Sequence, residues 1–299
     1  MQVLGFPDYG IQAHALAVAL NAPYEIIDLH HFPDGESRLR LPRQLPDQVI
    51  ICRSLDRGND KLVELLLAAE CARTLGANYL TLVAPYLCYM RQDKAFQPGE
   101  AVSQRIIGRF LAGLFDALIT VDPHLHRIRS LAEAVPVKPA IALSAAPAMG
   151  EFLAAQPGRP LLVGPDQESE QWVQAVAAPA ELRYVVAQKT RHGDRNVEIQ
   201  MPEYDYAGLD VVLVDDIAST GYTLAAATHA LRKAGARRID VLVTHAIFAG
   251  NALDILKTAG VRDIWSSDSV THPSNAFVLA PILSGAVIDA VSLPRKTTT

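Results

Sequence analysis

The chain has 299 residues, half of them hydrophobic, with 27 basic and 32 acidic side chains and a formal net charge of −5. That length suits two domains of about 150 residues each, and the mild negative charge excludes the basic footprint of a dedicated nucleic-acid or membrane-surface protein. The cysteines Cys52, Cys71 and Cys88 are odd in number and lack metal-ligand spacing, the N-terminus lacks the pattern of a signal peptide, and no run of 18 apolar residues occurs, so free buried thiols in a cytoplasmic protein are expected.

Short β-branched runs alternate with stretches of helical period along the sequence. Residues 49–52 form the first predicted strand, and 62–75 a helix stopped by Gly76. Residues 79–84 form a strand ended by Pro85, 102–112 a helix, and 117–121 a strand running into Asp122-Pro-His124. The rhythm then repeats, with a strand at 160–164, a helix at 167–178 and strands at 181–187 and 211–214. A helix at 223–234 closed by Gly235, a strand at 239–246 and a helix at 252–259 closed by Gly260 complete the series. Such alternation implies parallel sheets with helices on both faces. The segment Val135-Pro-Val-Lys-Pro139 sets the expected division into 1–140 and 141–299. Ligands of open parallel sheets bind beyond the carboxyl ends of strands, which directs attention to the polar segments after 85, 122, 165, 188 and 215.

The strongest of these is Val211-Val-Leu-Val-Asp-Asp-Ile-Ala-Ser-Thr-Gly-Tyr-Thr223. An apolar strand is followed by the carboxylates Asp215 and Asp216, then by Ser219, Thr220, Gly221, Tyr222 and Thr223 at the start of a helix. Backbone N–H groups and hydroxyls at a helix N-terminus suit a phosphate. Carboxylates repel phosphate, so Asp215 and Asp216 suit sugar hydroxyls or Mg²⁺. A phosphorylated sugar satisfies both halves.

This string resembles the phosphoribosyl pyrophosphate-binding loop shared by type I phosphoribosyltransferases and ribose-phosphate pyrophosphokinases. Further segments resemble the pyrophosphokinase family in particular. In His31-Phe-Pro-Asp-Gly-Glu-Ser37 the resemblance assigns ATP-base contacts to Phe32, Asp34, Gly35 and Glu36. In Pro85-Tyr-Leu-Cys-Tyr-Met-Arg-Gln-Asp93 it assigns ATP contacts to Arg91, Gln92 and Asp93, the guanidinium suiting phosphate oxygens. In Thr120-Val-Asp-Pro-His-Leu-His126 it makes His124 a contact for Mg²⁺ and ATP, ahead of Asp122 and His126. In Gly164-Pro-Asp-Gln-Glu-Ser169 it makes Asp166 a second Mg²⁺ ligand. Gln188-Lys-Thr-Arg-His-Gly-Asp-Arg-Asn-Val197 is similar to the family's catalytic loop, with Lys189 and Arg191 as catalytic cations and Arg191 also facing ribose 5-phosphate.

These segments occur in the family's order across nearly the whole chain. The resemblance implies an α/β fold of two phosphoribosyltransferase-like (type I) domains, each a mainly parallel sheet flanked by helices, with the last segment returning to the first domain. It implies transfer of a pyrophosphoryl group from Mg·ATP to ribose 5-phosphate, Mg²⁺ as cofactor, and a homodimer or higher homo-oligomer, with no nucleic-acid or membrane partner. Gln167-Glu-Ser-Glu-Gln-Trp172 replaces the family's usual glycine-rich run. Ser219 stands where many members carry Asp, and Tyr222 where a small residue is common. Rival readings are a phosphoribosyltransferase, a kinase acting on another phosphorylated sugar, and a non-catalytic regulatory homologue.

Overall fold

The structure, a computed structural model, describes the backbone of residues 1–125, 127–191 and 197–292, and their side chains except at 168, 189–191, 197 and 198. The chain forms two compact units: Met1–Leu143 with the chain from Leu279 onward, and Ser144–Val278.

In chain order the first unit contains β1 (Gln2–Gly5), α1 (Gly10–Ala19), β2 (Tyr24–Ile26), β3 (Asp28–His31), β4 (Ser37–Arg40), β5 (Gln48–Cys52) and α2 (Gly58–Thr74). β6 (Tyr79–Val83), α3 (Ser103–Leu114), β7 (Ala117–Val121), α4 (Leu131–Ala134) and β8 (Ala140–Leu143) follow. Its six-stranded sheet runs in the order β2-β1-β5-β6-β7-β8, and every pairing is parallel. β7 is buried along its whole length, and such continuous apolar runs are what a strand covered on both faces requires. The edge strands β2 and β8 carry half-buried or exposed residues instead. Leu65 and Ala68 of α2, Leu111 of α3 and Leu82 of β6 lie in one apolar core. At about 25 cal/mol per Å² of apolar surface removed from water, each such leucine contributes roughly 2 kcal/mol.

The second unit contains α5 (Ala146–Ala154), β9 (Leu161–Gly164), α6 (Glu170–Ala177), β10 (Tyr184–Val186), β11 (Gln188–Arg191), β12 (Val197–Gln200) and β13 (Asp210–Ala218). α7 (Tyr222–Lys233), β14 (Arg238–Ala246), α8 (Ala252–Ala259), β15 (Ile264–Ser267) and β16 (Asn275–Phe277) complete it. Its sheet runs β10-β9-β13-β14-β15-β16, again parallel throughout. The order is that of the first sheet, position for position. In both units an antiparallel hairpin, β3–β4 or β11–β12, follows the edge strand and precedes the third strand of the sheet.

Several elements differ from the sequence expectation for physical reasons. Helix α2 starts four residues before 62, because its polar first turn is held by ion pairs from Lys61 to Asp8 and Asp56. Strand β13 runs on to Ala218 instead of ending at 214, because the long β14 offers it a partner as far as Ala246. Asp215 and Asp216 therefore lie on the strand, and the turn proper is Ser219 to Gly221. β8 pairs with β7, so the first unit extends through Leu143. The final helix, α9 (Ala280–Ser292), packs on α1, β7 and β8 and so belongs to that unit.

Candidate active site

In the first unit, two polar segments leave neighbouring strand ends. After β6 the chain runs through residues 85–93, and after β7 through Asp122 to His124. The amide of Val121 donates to the Pro85 carbonyl at 3.1 Å, and the Thr120 hydroxyl donates to the same oxygen at 3.3 Å. Buried Gln104 of α3 donates from Nε2 to the Met90 carbonyl at 3.0 Å, fixing the backbone beside Arg91. Arg91 is exposed and Gln92 half-buried. The Asp93 side chain is 1% exposed and paired with Arg127 at 2.6 Å through Oδ1. Its Oδ2 is buried without a hydrogen-bond donor. An unmatched buried carboxylate oxygen costs about 1–3 kcal/mol or more, so this oxygen is suited to a ligand N–H or O–H.

His124 is half-buried, and the preceding Asp122 has φ +38° with its amide donating to the Leu143 carbonyl at 2.8 Å. His126 lies outside the described residues. Burial pushes the Cys88 thiol up to about 12, which keeps it protonated and removes it as a nucleophile; the three cysteines form no disulfide.

The third segment of this unit stands apart from these strand ends. Residues 32–36 form the turn of the β3–β4 hairpin, closed by the Phe32 amide to the Glu36 carbonyl at 2.8 Å and the Gly35 amide to the Phe32 carbonyl at 2.9 Å. Gly35 has φ +92° with open space around its Cα, so the turn needs its backbone freedom. Phe32, Asp34 and Glu36 are exposed, and the ring of His30 meets Phe32 edge-on at 4.9 Å. An exposed aromatic face flanked by two carboxylates fits a flat amino-bearing base.

Sequence reasoning missed the charge network beneath this hairpin. Arg53, just beyond β5, is 3% exposed, and Glu64 of α2 is 1% exposed. Arg53 Nη1 lies 2.6 Å from Glu64 Oε2, a close ion pair outside hydrogen-bond angles. Its Nε donates to Asp8 Oδ1 at 3.0 Å, and its plane lies 4.0 Å over the Phe6 ring. The available signal was a lone acid within the apolar period of residues 62–67.

In the second unit the equivalent strand ends carry carboxylates and hydroxyls. Helix α7 begins at Tyr222 after Gly221, which has φ +78°, and it lacks a side-chain cap. Its leading N–H groups are therefore left without a side-chain partner at the cap, and the helix dipole favours an anion there. Ser219, Tyr222 and Thr223 are half-buried and Thr220 is exposed around that terminus. The turn is tied down by the Ala249 amide donating to the Ser219 carbonyl at 2.9 Å and by the Phe248 amide donating to the Ala218 carbonyl at 2.9 Å. Asp215 and Asp216 are half-buried on the last turns of pleat before it. Asp215 Oδ1 accepts from the Asp216 amide at 3.0 Å.

Asp166 follows β9, half-buried, with its carbonyl accepting from the Ser169 hydroxyl at 2.5 Å. Lys189 and Arg191 lie on β11, in register with Ile199 and Val197 of β12. The Lys189 and Arg191 side chains and residues 192–196 lie outside the described set. No group of three His, Cys, Asp or Glu comes together among the described residues. Asp166, in the second unit, offers a hard carboxylate oxygen of the kind Mg²⁺ takes, and His124, in the first, an imidazole that would meet a hydrated ion through water.

Comparison with known proteins bears on both units. A family model described as the N-terminal domain of ribose phosphate pyrophosphokinase matches residues 8–114, and one described as a phosphoribosyl transferase domain matches residues 139–279. A ribose-phosphate pyrophosphokinase of Methanopyrus kandleri is 36% identical, over 91% of this chain and 93% of that protein. One from Methanosarcina acetivorans is 33% identical, over 96% and 99%. The crystal structure of phosphoribosylpyrophosphate synthetase from Mycobacterium smegmatis superposes with a TM-score of 0.80 at 21% identity, covering 97% of this chain and 98% of that one, which speaks for the fold alone. No helix among the described residues is long and apolar enough to cross a membrane.

Proposed function

The chain belongs to the ribose-phosphate pyrophosphokinase family, and from that premise we propose how its residues divide the reaction. The enzyme is a ribose-phosphate diphosphokinase: it transfers the β,γ-pyrophosphoryl group of ATP to the 1-hydroxyl of ribose 5-phosphate, giving phosphoribosyl pyrophosphate and AMP. The observation that carries the acceptor assignment is the uncapped N-terminus of α7 behind two half-buried carboxylates.

The 5-phosphate is held by the leading N–H groups of α7 with Ser219, Thr220, Gly221, Tyr222 and Thr223. Asp215 and Asp216 accept from the ribose hydroxyls. The Tyr222 ring borders the sugar and sets how much room the acceptor has. On the donor side, Arg91 pairs with ATP phosphates, Gln92 and Asp93 hold the nucleoside, and Phe32 stacks on adenine while Asp34, Gly35 and Glu36 frame its amino edge. The buried Oδ2 of Asp93 supports that reading. Asp166 and His124 would each be a protein group for Mg²⁺, directly or through water, and the ion would supply neutralising charge for the polyphosphate.

In the transfer, the 1-hydroxyl oxygen bonds to the β-phosphorus as the bond to the α,β-bridging oxygen breaks. AMP departs with that oxygen, which takes up the hydroxyl proton and releases it to solvent once the products leave. Negative charge gathers on equatorial and leaving oxygens, and Lys189 and Arg191 stabilise it. Arg191 also meets the sugar phosphate. Closure of the β11–β12 hairpin after ATP binds would exclude water. The working enzyme is a homodimer or higher homo-oligomer acting in the cytoplasm.

The test is incubation of the purified protein with Mg·ATP and ribose 5-phosphate. AMP together with phosphoribosyl pyrophosphate is the expected outcome. ADP in place of AMP would mean γ-phosphoryl transfer and would overturn the mechanism.

A further inference from the structure

Glu64 touches both arms of the hairpin that carries Phe32 to Glu36. Its Oε1 accepts from His31 Nε2 at 2.7 Å and from the Ser37 hydroxyl at 2.9 Å. A carboxylate only accepts, so the proton of this pair sits on the imidazole nitrogen. His31 and Ser37 are cross-strand partners, and they form the last register pair before the turn. Directly opposed residues point to one face, and here that face meets α2.

One buried oxygen thus pins the two feet of the turn. A slip of one residue in either strand would rotate His31 or Ser37 to the opposite face and break the contact. Glu64 is itself held from behind. Arg53 lies 2.6 Å from Oε2, Asp8 holds Arg53, and Lys61 of α2 joins Asp8 at 2.8 Å and the Ser54 carbonyl at 2.9 Å. The chain of contacts runs from the ends of β1 and β5 through α2 to the hairpin. A surface hairpin of two four-residue strands would not keep one direction in water unaided.

We propose that Glu64 is a positioning residue for the nucleotide, aiming the 32–36 turn through His31 and Ser37 so that Phe32 and its flanking carboxylates meet the base in one orientation. This rests on the reading that the turn contacts the ATP base. Glu64 makes no contact with nucleotide in this role; its effect passes through the hairpin. The consequence is selective. Loosening the clamp weakens ATP binding and discrimination between bases, and it leaves ribose 5-phosphate binding alone.

The experiment uses the full-length enzyme and the double variant His31→Ala/Ser37→Ala, which frees the hairpin and keeps the buried Arg53–Glu64 pair. Steady-state kinetics and thermal unfolding are measured beside wild type, Phe32→Ala and Glu64→Gln. The expected result is a rise of about tenfold in KM for ATP, a loss of several-fold in preference for ATP over GTP, an unchanged KM for ribose 5-phosphate, and a modestly lower melting temperature because Glu64 Oε1 loses both its donors. Glu64→Gln, where it folds, is expected to show the same selectivity. If Phe32→Ala raises KM for ATP and the double variant does not, the positioning role is overturned while the base contact stands. If Phe32→Ala also leaves KM for ATP and base preference unchanged, the base-contact reading falls and the positioning role falls with it. A large loss of stability with a parallel rise in KM for both substrates would show a merely structural clamp and would equally overturn the proposal.

Discussion

Replacing Gly221 with alanine tests the geometry of the phosphate-binding turn and of α7 together. Gly221 has φ +78°, a conformation that costs a residue bearing Cβ roughly 1–2 kcal/mol. An added Cβ would also meet the Ala252 carbonyl oxygen at 3.2 Å and Ala252 Cα and Cβ at 3.5 Å. That oxygen is backbone at the start of α8 and yields little, so crowding adds about 1 kcal/mol at the low end of overpacking costs. The expected sum is about 2–3 kcal/mol, read as a lower denaturation midpoint in urea with an unchanged slope. Gly208→Ala separates the two contributions, because Gly208 has φ +70° with nothing within 4 Å of its would-be Cβ. It should lose only the conformational part, about 1 kcal/mol. Gly113, in α3 with negative φ and open space, should instead gain about 0.5–1 kcal/mol on substitution by alanine. Equal losses for Gly221→Ala and Gly208→Ala would refute the crowding argument. A neutral Gly221→Ala would refute the left-handed turn itself. Gly221→Ala is also expected to raise KM for ribose 5-phosphate, because the amides that follow it would be displaced.

Lys189→Ala and Arg191→Ala should each lower kcat by about 10²–10³, the scale for losing one preorganised charge contact, with stability unchanged; full turnover in both would remove them from catalysis. Gly108→Ala should destabilise by several kcal/mol or abolish expression, because its Cβ would sit 1.8 Å from the Ala134 carbonyl oxygen; calorimetry checks this. Burial opposes the charged forms of Asp8 and Glu64, but Arg53 with Lys61 at Asp8, and His31 with Arg53 at Glu64, hold both below their usual range. Groups lowered by folding stabilise above their unfolded pKa near 4, and that stability is lost as pH falls. Asp240 is raised by burial despite Arg238 and runs the other way. Acid unfolding of wild type between about pH 5 and 3 should therefore be steeper than that of Asp8→Asn; parallel curves would refute the coupling. Chelation of divalent cations should stop AMP formation and added Mg²⁺ should restore it, as a phosphate-bridged ion requires.

Central elements were legible because burial on both faces leaves an unbroken apolar run. β7 and α8 fall on the residues expected, the latter stopped by Gly260 with φ +100°. β2, β3 and β4 escaped notice because they are short and mostly exposed, so neither a two-residue period nor an apolar run marks them. β8 escaped because its place depends on pairing with β7, and no local pattern records a partner. The strand-end motifs after β6, β7, β9 and β13 were readable as strings, since each gathers polar residues where an apolar run stops. The position of Asp215 and Asp216 on the strand was not, because only β14 extends β13 so far. Glu64 and Arg53 stayed hidden because a single buried charge looks like a surface charge until its partners, distant in sequence, are brought to it.

The chain enters the second unit after Leu143, the end of β8, and returns at Leu279, just before α9, whose contacts are with α1, β7 and β8. The second unit is therefore an insertion, and while folded it joins the two segments of the first at its own chain ends, as a staple would. If the first unit opens alone, its two segments stay tethered at one fixed spacing, which removes configurations from the opened state much as a cross-link does. If the second unit opens alone, it becomes a long loop anchored at both ends, and closing such a loop grows costlier only logarithmically with length. The protection is thus mutual: whatever stability the folded insertion lends the first unit, the folded first unit lends the insertion in return. A cut in the inserted unit would show it. One cleavage within residues 144–278, with both fragments retained, should lower the melting temperature of the first unit although none of its own contacts has been touched.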